Sequence, residues 1–225
     1  MDALVYTGIA HNVAEDIEMA RVPENRNCVY SYRIALSDGS FFSRGNGYPS
    51  YIKRCHDLAG DTSWVLVADI SDFYNRIYLH RLKNSLCLAN PAKEAQAEAT
   101  EWFLTRLNGR ASQGVPVGPA ASIVLSEAIL SDVDQFLESH GFRFTRYVDD
   151  IRVYSDSEEE LQCLQESLVA YLFDAQRLQL NWKKTRVLTT AAFIDEYLAS
   201  PPIVEAQELL NVARVICDYG DLYTE

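Results

Sequence analysis

The sequence has few residues of the kinds that mark disordered or membrane-spanning proteins. It contains 10 glycines and 7 prolines in 225 residues, and 48% of its residues are hydrophobic. That composition excludes a low-complexity or disordered chain. Its apolar runs fall short of the roughly 20 residues that a membrane-spanning helix needs, and its first residues lack the basic and apolar regions of an export signal. We therefore expect a globular cytoplasmic protein that does not contact a membrane.

Cysteines are few, odd in number and never arranged as Cys-x-x-Cys. The five are Cys28, Cys55, Cys87, Cys163 and Cys217. This spacing argues against a disulfide framework and against a zinc site, and it favours free thiols in a reducing compartment.

Basic residues are outnumbered by acidic ones, 20 to 32, which gives a formal net charge of -12. Taken alone, this charge argues against a nucleic-acid partner, because binding to phosphates normally requires a basic surface. The acids are concentrated, however, at positions 15–18, 156–160 and 195–225. Near the motifs described below lie Arg76, Arg81, Lys83, Arg143, Arg146, Arg152, Lys183, Lys184 and Arg186. Nucleic acid therefore remains an acceptable partner.

The first half of the chain contains signals for strands and then helices. Aromatic and β-branched residues predict a strand over 28–36, a turn over 37–40 and a returning strand over 41–44. Residues 63–70 form an apolar run of the length of a buried strand. A polar helix is predicted over 92–106.

The second half of the chain predicts a helix, a hairpin and another helix. The first helix covers 119–138, with Pro119 suited to its start and Gly141 to its stop. A tight hairpin over 142–154 carries Asp149 and Asp150 at its bend. Ser157 and Glu160 predict a capping box, followed by an amphipathic helix with Leu161, Leu164, Leu168 and Leu172 on its apolar face. This order of elements predicts an α+β fold, an antiparallel sheet backed by helices.

Acidic residues at a strand end and at a hairpin bend suggest metal chemistry. Transfer of a nucleotide to a 3′-hydroxyl uses two divalent cations about 3.5–4 Å apart, and such hard cations prefer carboxylate oxygens. If the strand that ends at Asp69 lies beside the hairpin, its carboxylate projects toward the same point as Asp149 and Asp150. Taken singly, each feature is more often a solvated strand end or an ordinary turn.

A third element lies between these acids in the chain. Residues 112–122 form a loop rich in glycine and proline that opens the long helix. Backbone amides at a helix start, together with the side chain of Gln113, can line a nucleotide site. The alternative is an ordinary helix entry.

Four segments in this order resemble the conserved motifs of reverse transcriptases. DISDFY at 69–74 resembles motif A, and the loop from Gln113 to Pro119 resembles motif B. YVDD at 147–150 resembles motif C, and LNWKKT at 180–185 resembles motif D. Their key residues are about 35 to 45 positions apart, as in that family, and they span about half of the chain. The sequences FYNRIYLHRL, GVPVGPAASIVLSEAIL and RYVDDIRVY are most similar to bacterial reverse transcriptases of the abortive-infection and antiphage-defence groups.

The resemblance implies a right-hand polymerase palm with partial fingers. We expect partial fingers over 1–60, the palm over 61–190 with a fingers-like insertion at about 85–125, and the start of a thumb or a C-terminal extension over 191–225. The implied activity is RNA-directed DNA polymerisation in antiphage defence. Its partners would be deoxynucleotides and an RNA or DNA template-primer. Either a second copy or a partner domain would supply the rest of the thumb or fingers, or the chain is a fragment or a truncated reading frame. Template-independent synthesis stays open, because some members of these groups make DNA without a template.

The resemblance also assigns roles at the catalytic site. Asp69 and Asp149 would be metal ligands, Ile70 would offer its backbone carbonyl, and Asp150 would be a supporting carboxylate. The cofactor implied is a pair of Mg²⁺ ions, for which Mn²⁺ can substitute. Lys184 would lie near the leaving pyrophosphate as a general acid, or else be a solvated lysine.

Nucleotide-binding residues are implied as well. Gln113 and Gly114 would contact the incoming nucleotide and the template strand, and Asp72 in motif A would lie near the nucleotide. For gripping the triphosphate, the predicted first hairpin offers only Arg33 and Arg44.

Tyr74 separates the competing hypotheses. Viral-type RNA-dependent RNA polymerases carry an aspartate five positions after the motif A aspartate, where this chain has Tyr74. An aromatic ring there predicts a steric gate against ribonucleotides, whereas the alternative is a core aromatic. A nucleotidyl-cyclase-like palm would lack the Gln-Gly loop and the motif D lysine. A nucleic-acid-binding scaffold without catalysis is disfavoured, because clustered carboxylates are electrostatically costly without a cation.

Overall fold

The computed structural model describes residues 2–37, 39–43 and 47–199. Its helices are α1 (Asp2–Ala20), α2 (Tyr48–Gly60), α3 (Phe73–Arg76), α4 (Leu79–Ala89), α5 (Glu94–Leu107), α6 (Ala120–Ser139), α7 (Glu158–Tyr171) and α8 (Thr190–Phe193). Its strands are β1 (Ile34–Ser37), β2 (Ser40–Phe42), β3 (Trp64–Asp69), β4 (Arg143–Tyr147), β5 (Asp150–Ser155) and β6 (Arg186–Thr189). Shorter helical turns cover Glu24–Arg26, Pro91–Lys93, Leu172–Gln176 and Ile194–Leu198. The predicted α+β class is confirmed.

An antiparallel sheet of four strands, in the order β4-β5-β3-β6, lies at the centre. Strand β3 reads WVLVAD and is buried from Val65 to Ala68, which is typical of a strand covered on both faces. Its pairing with β5 runs from Trp64 opposite Ser155 to Asp69 opposite Asp150. The strand predicted over 63–70 is therefore confirmed.

Helices cover both faces of this sheet. Alternate side chains of a strand point to opposite faces. Leu66 and Ala68 enter the larger core with α1, α4, α6 and α7, whereas Val65 and Val67 enter a smaller core with α2 and α8. Because helices cover both faces of the sheet, polar side chains reach solvent at the ends of the strands.

Helix α6 runs through the larger core. Pro119 precedes its first residue and Gly141, with φ of +76°, follows its end, so both sequence signals mark the observed boundaries. The helix predicted over 92–106 is likewise present as α5.

Helix α7 begins with only half of the predicted capping box. The Ser157 hydroxyl accepts the backbone N–H of Glu160 at 3.3 Å. The Glu160 carboxylate, however, accepts from the hydroxyl of Ser155 at 2.7 Å, and the N–H of Ser157 donates to that same hydroxyl. Leu161, Leu164, Leu168 and Leu172 are buried as predicted.

The first predicted strand is wrong in its extent. Strand β1 begins at Ile34 instead of residue 28, because Tyr32 adopts φ of +36°, which interrupts an extended chain. The hairpin itself is present, since β1 pairs with β2. Part of the predicted turn, residue 38, and Arg44 at the predicted end of the returning strand lie outside the described residues.

The segment before Tyr32 extends the sheet beyond β4. Val29 forms a parallel bridge with Arg146. The N–H of Arg146 donates to the Cys28 carbonyl at 2.7 Å, and the N–H of Tyr30 donates to the Arg146 carbonyl at 3.0 Å. Residues 28–30 therefore pair with the outer edge of β4 at Arg146.

Two expectations drawn from composition concern cysteines and membranes. Cys28, Cys55, Cys87 and Cys163 are free thiols, as predicted, and Cys217 lies outside the described residues. Within the described ranges, no helix has the length and apolar character required to cross a membrane.

Candidate active site

Asp69 and the motif C hairpin meet at one end of the sheet. Asp69 is the last residue of β3 and lies opposite Asp150, the first residue of β5. Residues directly opposite in an antiparallel pair share a face of the sheet. The adjacency that the sequence analysis required is therefore present.

The hairpin bend consists of Val148 and Asp149, and it differs from the prediction that two acids occupy it. Asp150 already belongs to β5. Val148 adopts φ of +54°, which is unusual for a β-branched residue. The two acids of motif C consequently have different surroundings: Asp149 is at the turn, whereas Asp150 is in the strand.

Asp150 is about half-exposed and has a basic partner. Its side chain is 46% exposed and lies 3.4 Å from a guanidinium nitrogen of Arg152. Arg152 itself is buried and stacks 5.2 Å from the ring centre of Tyr197. This arrangement fits the supporting role implied for Asp150.

Asp149 lies in an environment that perturbs its titration. Burial, together with the negative charges of Asp150 and Asp69, raises the pKa of Asp149 to about 6, although Lys184 opposes this shift. The carboxylate is therefore held in an environment that disfavours its charge, and a cation bound there would relieve the repulsion.

Lys184 contacts the motif A carboxylate directly. Its ammonium nitrogen donates to Asp69 Oδ1 at 3.0 Å, although its side chain is 62% exposed and that of Asp69 only 13%. This hydrogen bond and the charge of Asp69 raise the pKa of Lys184. The N–H of Lys184 also donates to the carbonyl of Asn181, which fixes the turn of motif D.

The backbone around Ile70 is tied to the motif D segment. The N–H of Asn181 donates to the Asp69 carbonyl at 2.7 Å. The N–H of Ser71 donates to the Gln179 carbonyl at 2.8 Å. Successive peptide groups along a strand alternate in direction, so the Ile70 carbonyl points away from motif D and toward the side of β5. That orientation is compatible with the role implied for it.

The donor chemistry of the site fits magnesium. Across residues 2–37, 39–43 and 47–199, no group of three or more His, Cys, Asp or Glu side chains is placed to hold a metal ion by itself. Mg²⁺ usually keeps several waters and binds one or two carboxylates together with substrate phosphates. Asp69, Asp149 and the carbonyl of Ile70 provide that kind of incomplete set.

Phe73 and Tyr74 point in different directions, as neighbouring side chains must. Phe73 is 2% exposed and lies in the core. Tyr74 is partly buried, its pKa is raised to about 12 by burial, and it interacts with Ser126, Glu127 and Asp149. The ring of Tyr74 therefore lies between the core and the acidic site.

The motif B loop is hydrogen-bonded to the segment that follows motif A. The N–H of Gly114 donates to the Ile77 carbonyl at 2.8 Å, and Gln113 forms a bridge with Tyr78. Gly114 has φ of +94°, and a Cβ there would lie 3.3 Å from the carbonyl oxygen of Asn75. Only glycine suits this position.

The side chains of Gln113 and Asp72 are exposed near these elements. Asp72 adopts φ of +50° and accepts a hydrogen bond from the Asn75 side chain at 2.7 Å. Both residues are accessible to a ligand.

Arg33 does not have the position that its predicted role requires. It is 4% exposed, its guanidinium pairs with Glu18 at 2.9 Å, and it donates to the Val22 carbonyl. A guanidinium engaged in this way is not presented to a triphosphate. Arg44 lies outside the described residues.

A group of buried charges that was not predicted from the sequence lies behind the site. Glu127 and Asp134 on α6 are both fully buried and both pair with Arg146. The available signal was their spacing: two acids seven residues apart share one helical face with Leu130, and acids on an apolar face require buried partners. Arg146 and Arg152, counted above among the basic residues near the motifs, are buried and add no exposed positive surface.

Comparisons with known proteins identify the fold. The chain matches the family model described as reverse transcriptase (RNA-dependent DNA polymerase) over residues 20–208. It is similar to apo telomerase from Candida tropicalis, with a TM-score of 0.59 and 10% identity over 84% of this chain and 37% of the telomerase. It is also similar to Candida albicans telomerase in complex with a fragment of telomeric RNA, with a TM-score of 0.56 and 12% identity over 80% of this chain and 35% of the telomerase. A search of curated proteins gives no match.

The structural likeness, at these low identities, concerns the fold alone. It agrees with the predicted right-hand polymerase palm. The chain spans about a third of the length of these two telomerase chains.

Proposed function

Since this chain belongs to the reverse transcriptase family, we propose that it is an RNA-directed DNA polymerase that adds deoxynucleotides to a 3′-hydroxyl. One observation carries the proposal: Asp69, Asp149 and Lys184, which are far apart in sequence, interact at one end of the sheet. A hard-cation site beside a basic side chain suits the transfer of a phosphoryl group.

The metal-binding part of the mechanism uses two carboxylates and one carbonyl. Asp69, Asp149 and the Ile70 carbonyl would hold two Mg²⁺ ions, or Mn²⁺ in their place, with Asp150 in support. When bound, such ions activate the attacking hydroxyl and neutralise the triphosphate. Because burial and like charges disfavour the ionised form of Asp149, this residue gains most from a bound cation.

Lys184 would supply a proton to the leaving pyrophosphate. Without nucleotide, its ammonium group is bonded to Asp69. Its high exposure leaves it free to turn toward a phosphate oxygen once Asp69 binds a cation. The raised pKa of Lys184 keeps it protonated before it acts as a general acid.

Selection of the nucleotide would depend on Tyr74 and the motif B loop. We place the sugar of the incoming nucleotide against the ring of Tyr74, where a 2′-hydroxyl would collide with it. Gln113, Gly114 and Asp72 lie on neighbouring backbone segments and would contact the nucleotide and the template strand.

We propose that the chain is divided into fingers, palm and thumb regions, as in a right-hand polymerase. Residues 1–60 would form partial fingers, 61–190 the palm with its insertion at about 85–125, and 191–225 the start of a thumb or a C-terminal extension, of which 200–225 lie outside the described residues. RNA is supported as the template by the family, and the telomerase from Candida albicans is itself a complex with RNA. We include a second copy of the chain or a partner domain among the proposed partners.

A role in antiphage defence is supported by the segments around motifs A, B and C, which resemble those of abortive-infection reverse transcriptases. Phage plating on cells that express the wild-type protein or the Asp149→Asn variant tests this role. Protection by the wild type alone is the expected result, and equal plating on both would refute it.

Polymerisation is tested by incorporation of labelled deoxynucleotides in Mg²⁺ with an RNA template and a DNA primer. Asp149→Asn should abolish incorporation, whereas Asp156→Asn should not. The control makes the same charge change at an exposed residue directly after the other end of β5. Near wild-type incorporation by Asp149→Asn would refute the site.

The same assay without template separates two enzymes of this fold. Equal incorporation with and without template would identify a template-independent DNA polymerase. A folded wild-type protein that binds template-primer and incorporates nothing would instead be a nucleic-acid-binding scaffold.

A further inference from the structure

A charge network lies in the core behind the motif C hairpin. Its members are Arg21, Arg33, Arg146, Glu18, Glu127 and Asp134, three cations with three anions. All except the partly exposed Glu18 are buried. Burying this many charges is costly even when they are paired, because the loss of hydration can exceed the attraction between them. The network therefore calls for a functional explanation.

Arg146 connects this network to the hairpin bend. Its Nε and Nη2 atoms donate to the two oxygens of Asp134, both at 2.6 Å. Nη2 also donates to Oε2 of Glu127 at 2.8 Å, and Nη1 donates to Oε1 of Glu127 at 3.3 Å. Nη1 then donates at 3.0 Å to the carbonyl of Val148, the residue directly before Asp149.

The carbonyl that Arg146 holds belongs to the strained residue of the turn. Val148 has φ of +54°, which a β-branched side chain disfavours and which persists only where the surroundings impose it. The Arg146 guanidinium is held by two buried carboxylates, and its hydrogen bond to the Val148 carbonyl is such a constraint.

We propose that Arg146 is a positioning residue for Asp149. Oriented by Asp134 and Glu127, its guanidinium holds the Val148 carbonyl and thereby fixes the turn that places the Asp149 carboxylate toward Asp69. The proposal rests on the proposed function in one respect, that Asp149 is a metal ligand. In this proposal, helix α6, which begins directly after motif B, carries the two acids that support the turn of motif C.

Arginine is required at this position by geometry as well as by charge. The planar guanidinium uses its five N–H groups on Asp134, Glu127, the Val148 carbonyl and the hydroxyl of Ser31. A lysine keeps the charge, but it has three donors and no planar fork. Arg146→Lys therefore removes the orientation and leaves the charge.

The experiment measures Mn²⁺ binding by calorimetry and amide hydrogen exchange of the hairpin in the full chain without nucleotide. Arg146→Lys and Asp134→Asn should each lower the Mn²⁺ affinity by about tenfold or more, the usual effect of losing a residue that orients a ligand. Amide exchange at the turn should accelerate in both. If Arg146→Lys does not fold, Asp134→Asn carries the test.

A second substitution distinguishes positioning from general stability. Val148→Gly removes the steric cost of a positive φ, so it should restore much of the Mn²⁺ affinity in the Asp134→Asn background. Arg177→Gly is the matched control, because Arg177 also has a positive φ, +60°, but follows the helical turn Leu172–Gln176 and is not part of the motif C hairpin. Rescue by Arg177→Gly to the same degree would overturn the proposal.

A charge change elsewhere in the network provides the last control. Glu18→Gln removes a buried-network charge that contacts Arg21 and Arg33 but not Arg146. It should lower stability without changing Mn²⁺ affinity, and an equal loss of affinity would refute positioning. If the wild type binds no Mn²⁺, the metal-site part of the proposed function fails. Hydrogen exchange at the turn then still decides whether Arg146 fixes the conformation of the turn.

Discussion

Asp149→Asn should stabilise the metal-free protein while it removes activity. The pKa of Asp149 is raised from 3.8 to about 6, first by burial and then by the charges of its acidic neighbours. A shift of this size corresponds to about 3 kcal/mol at about 1.4 kcal/mol per pKa unit. Because the side chain is only partly buried, solvent screening reduces the expected effect to about 1–2 kcal/mol.

The sign of the pH dependence follows from the direction of the shift. The folded-state pKa lies above the unfolded one, so the stability that this carboxyl contributes is full at pH below its unfolded value and is lost as pH rises through about 6. Asparagine does not titrate. The free energy of unfolding of the variant should therefore match that of the wild type near pH 4 and exceed it by about 1–2 kcal/mol at pH 8.

Urea unfolding in EDTA at several pH values measures this difference. Asp156→Asn, the exposed control, should not show it. In saturating Mg²⁺ the order should reverse, because only the wild type gains the full binding energy of the cation. A variant that is less stable than the wild type at pH 8 in EDTA would refute the reasoning.

Three further predictions concern neighbouring residues. Lys184→Ala should reduce the rate of single-turnover incorporation by about 10²- to 10⁴-fold and leave the nucleotide KM little changed. Tyr74→Val should admit ribonucleotides, with a loss of discrimination of about 1–3 kcal/mol in single-nucleotide incorporation of matched pairs. Gly114→Ala should lower the free energy of unfolding by about 1–3 kcal/mol, because of its positive φ and its approach to Asn75.

Each of these predictions has a matched control. Lys183→Ala changes the adjacent lysine, which stacks on a tryptophan, and should not affect the rate. Phe73→Val should not alter the sugar preference, and if it does so while Tyr74→Val does not, the gate assignment is wrong. Gly109→Ala also places a Cβ at a positive φ but meets no atom within 4 Å, so it should cost less than Gly114→Ala.

Local patterns were sufficient to predict the elements that carry the site. The apolar run of β3, the stripe of α6 and the short turn after β4 are local features, and each directly gives a strand, a helix or a hairpin. The meeting of Asp69 with the hairpin required one further assumption, that these strands are neighbours. The order of the four motifs supplied it.

Features that depend on tertiary packing could not be predicted in this way. Arg146 and Arg152 appeared to be basic residues available to phosphates, yet the structure buries both. The burial of Arg146 depends on Glu127 and Asp134, which reach it only when α6 packs against the sheet. Arg152 pairs instead with Asp150 and stacks on Tyr197. Tyr32 likewise shows no local signal for the positive φ that shortens β1.

The covering of β4 by residues 28–30 has a consequence for truncation of the chain. A fragment that begins near residue 61 would keep all four motifs, but it would leave the outer edge of β4 without Cys28 and Tyr30, its hydrogen-bonding partners. Unpaired strand edges recruit other strands and promote aggregation. Such a fragment would also lose Arg21 and Ser31, two of the partners of Glu127. An isolated palm should therefore self-associate through β4, and the segments that carry Arg21 and residues 28–31 should unfold together with the sheet.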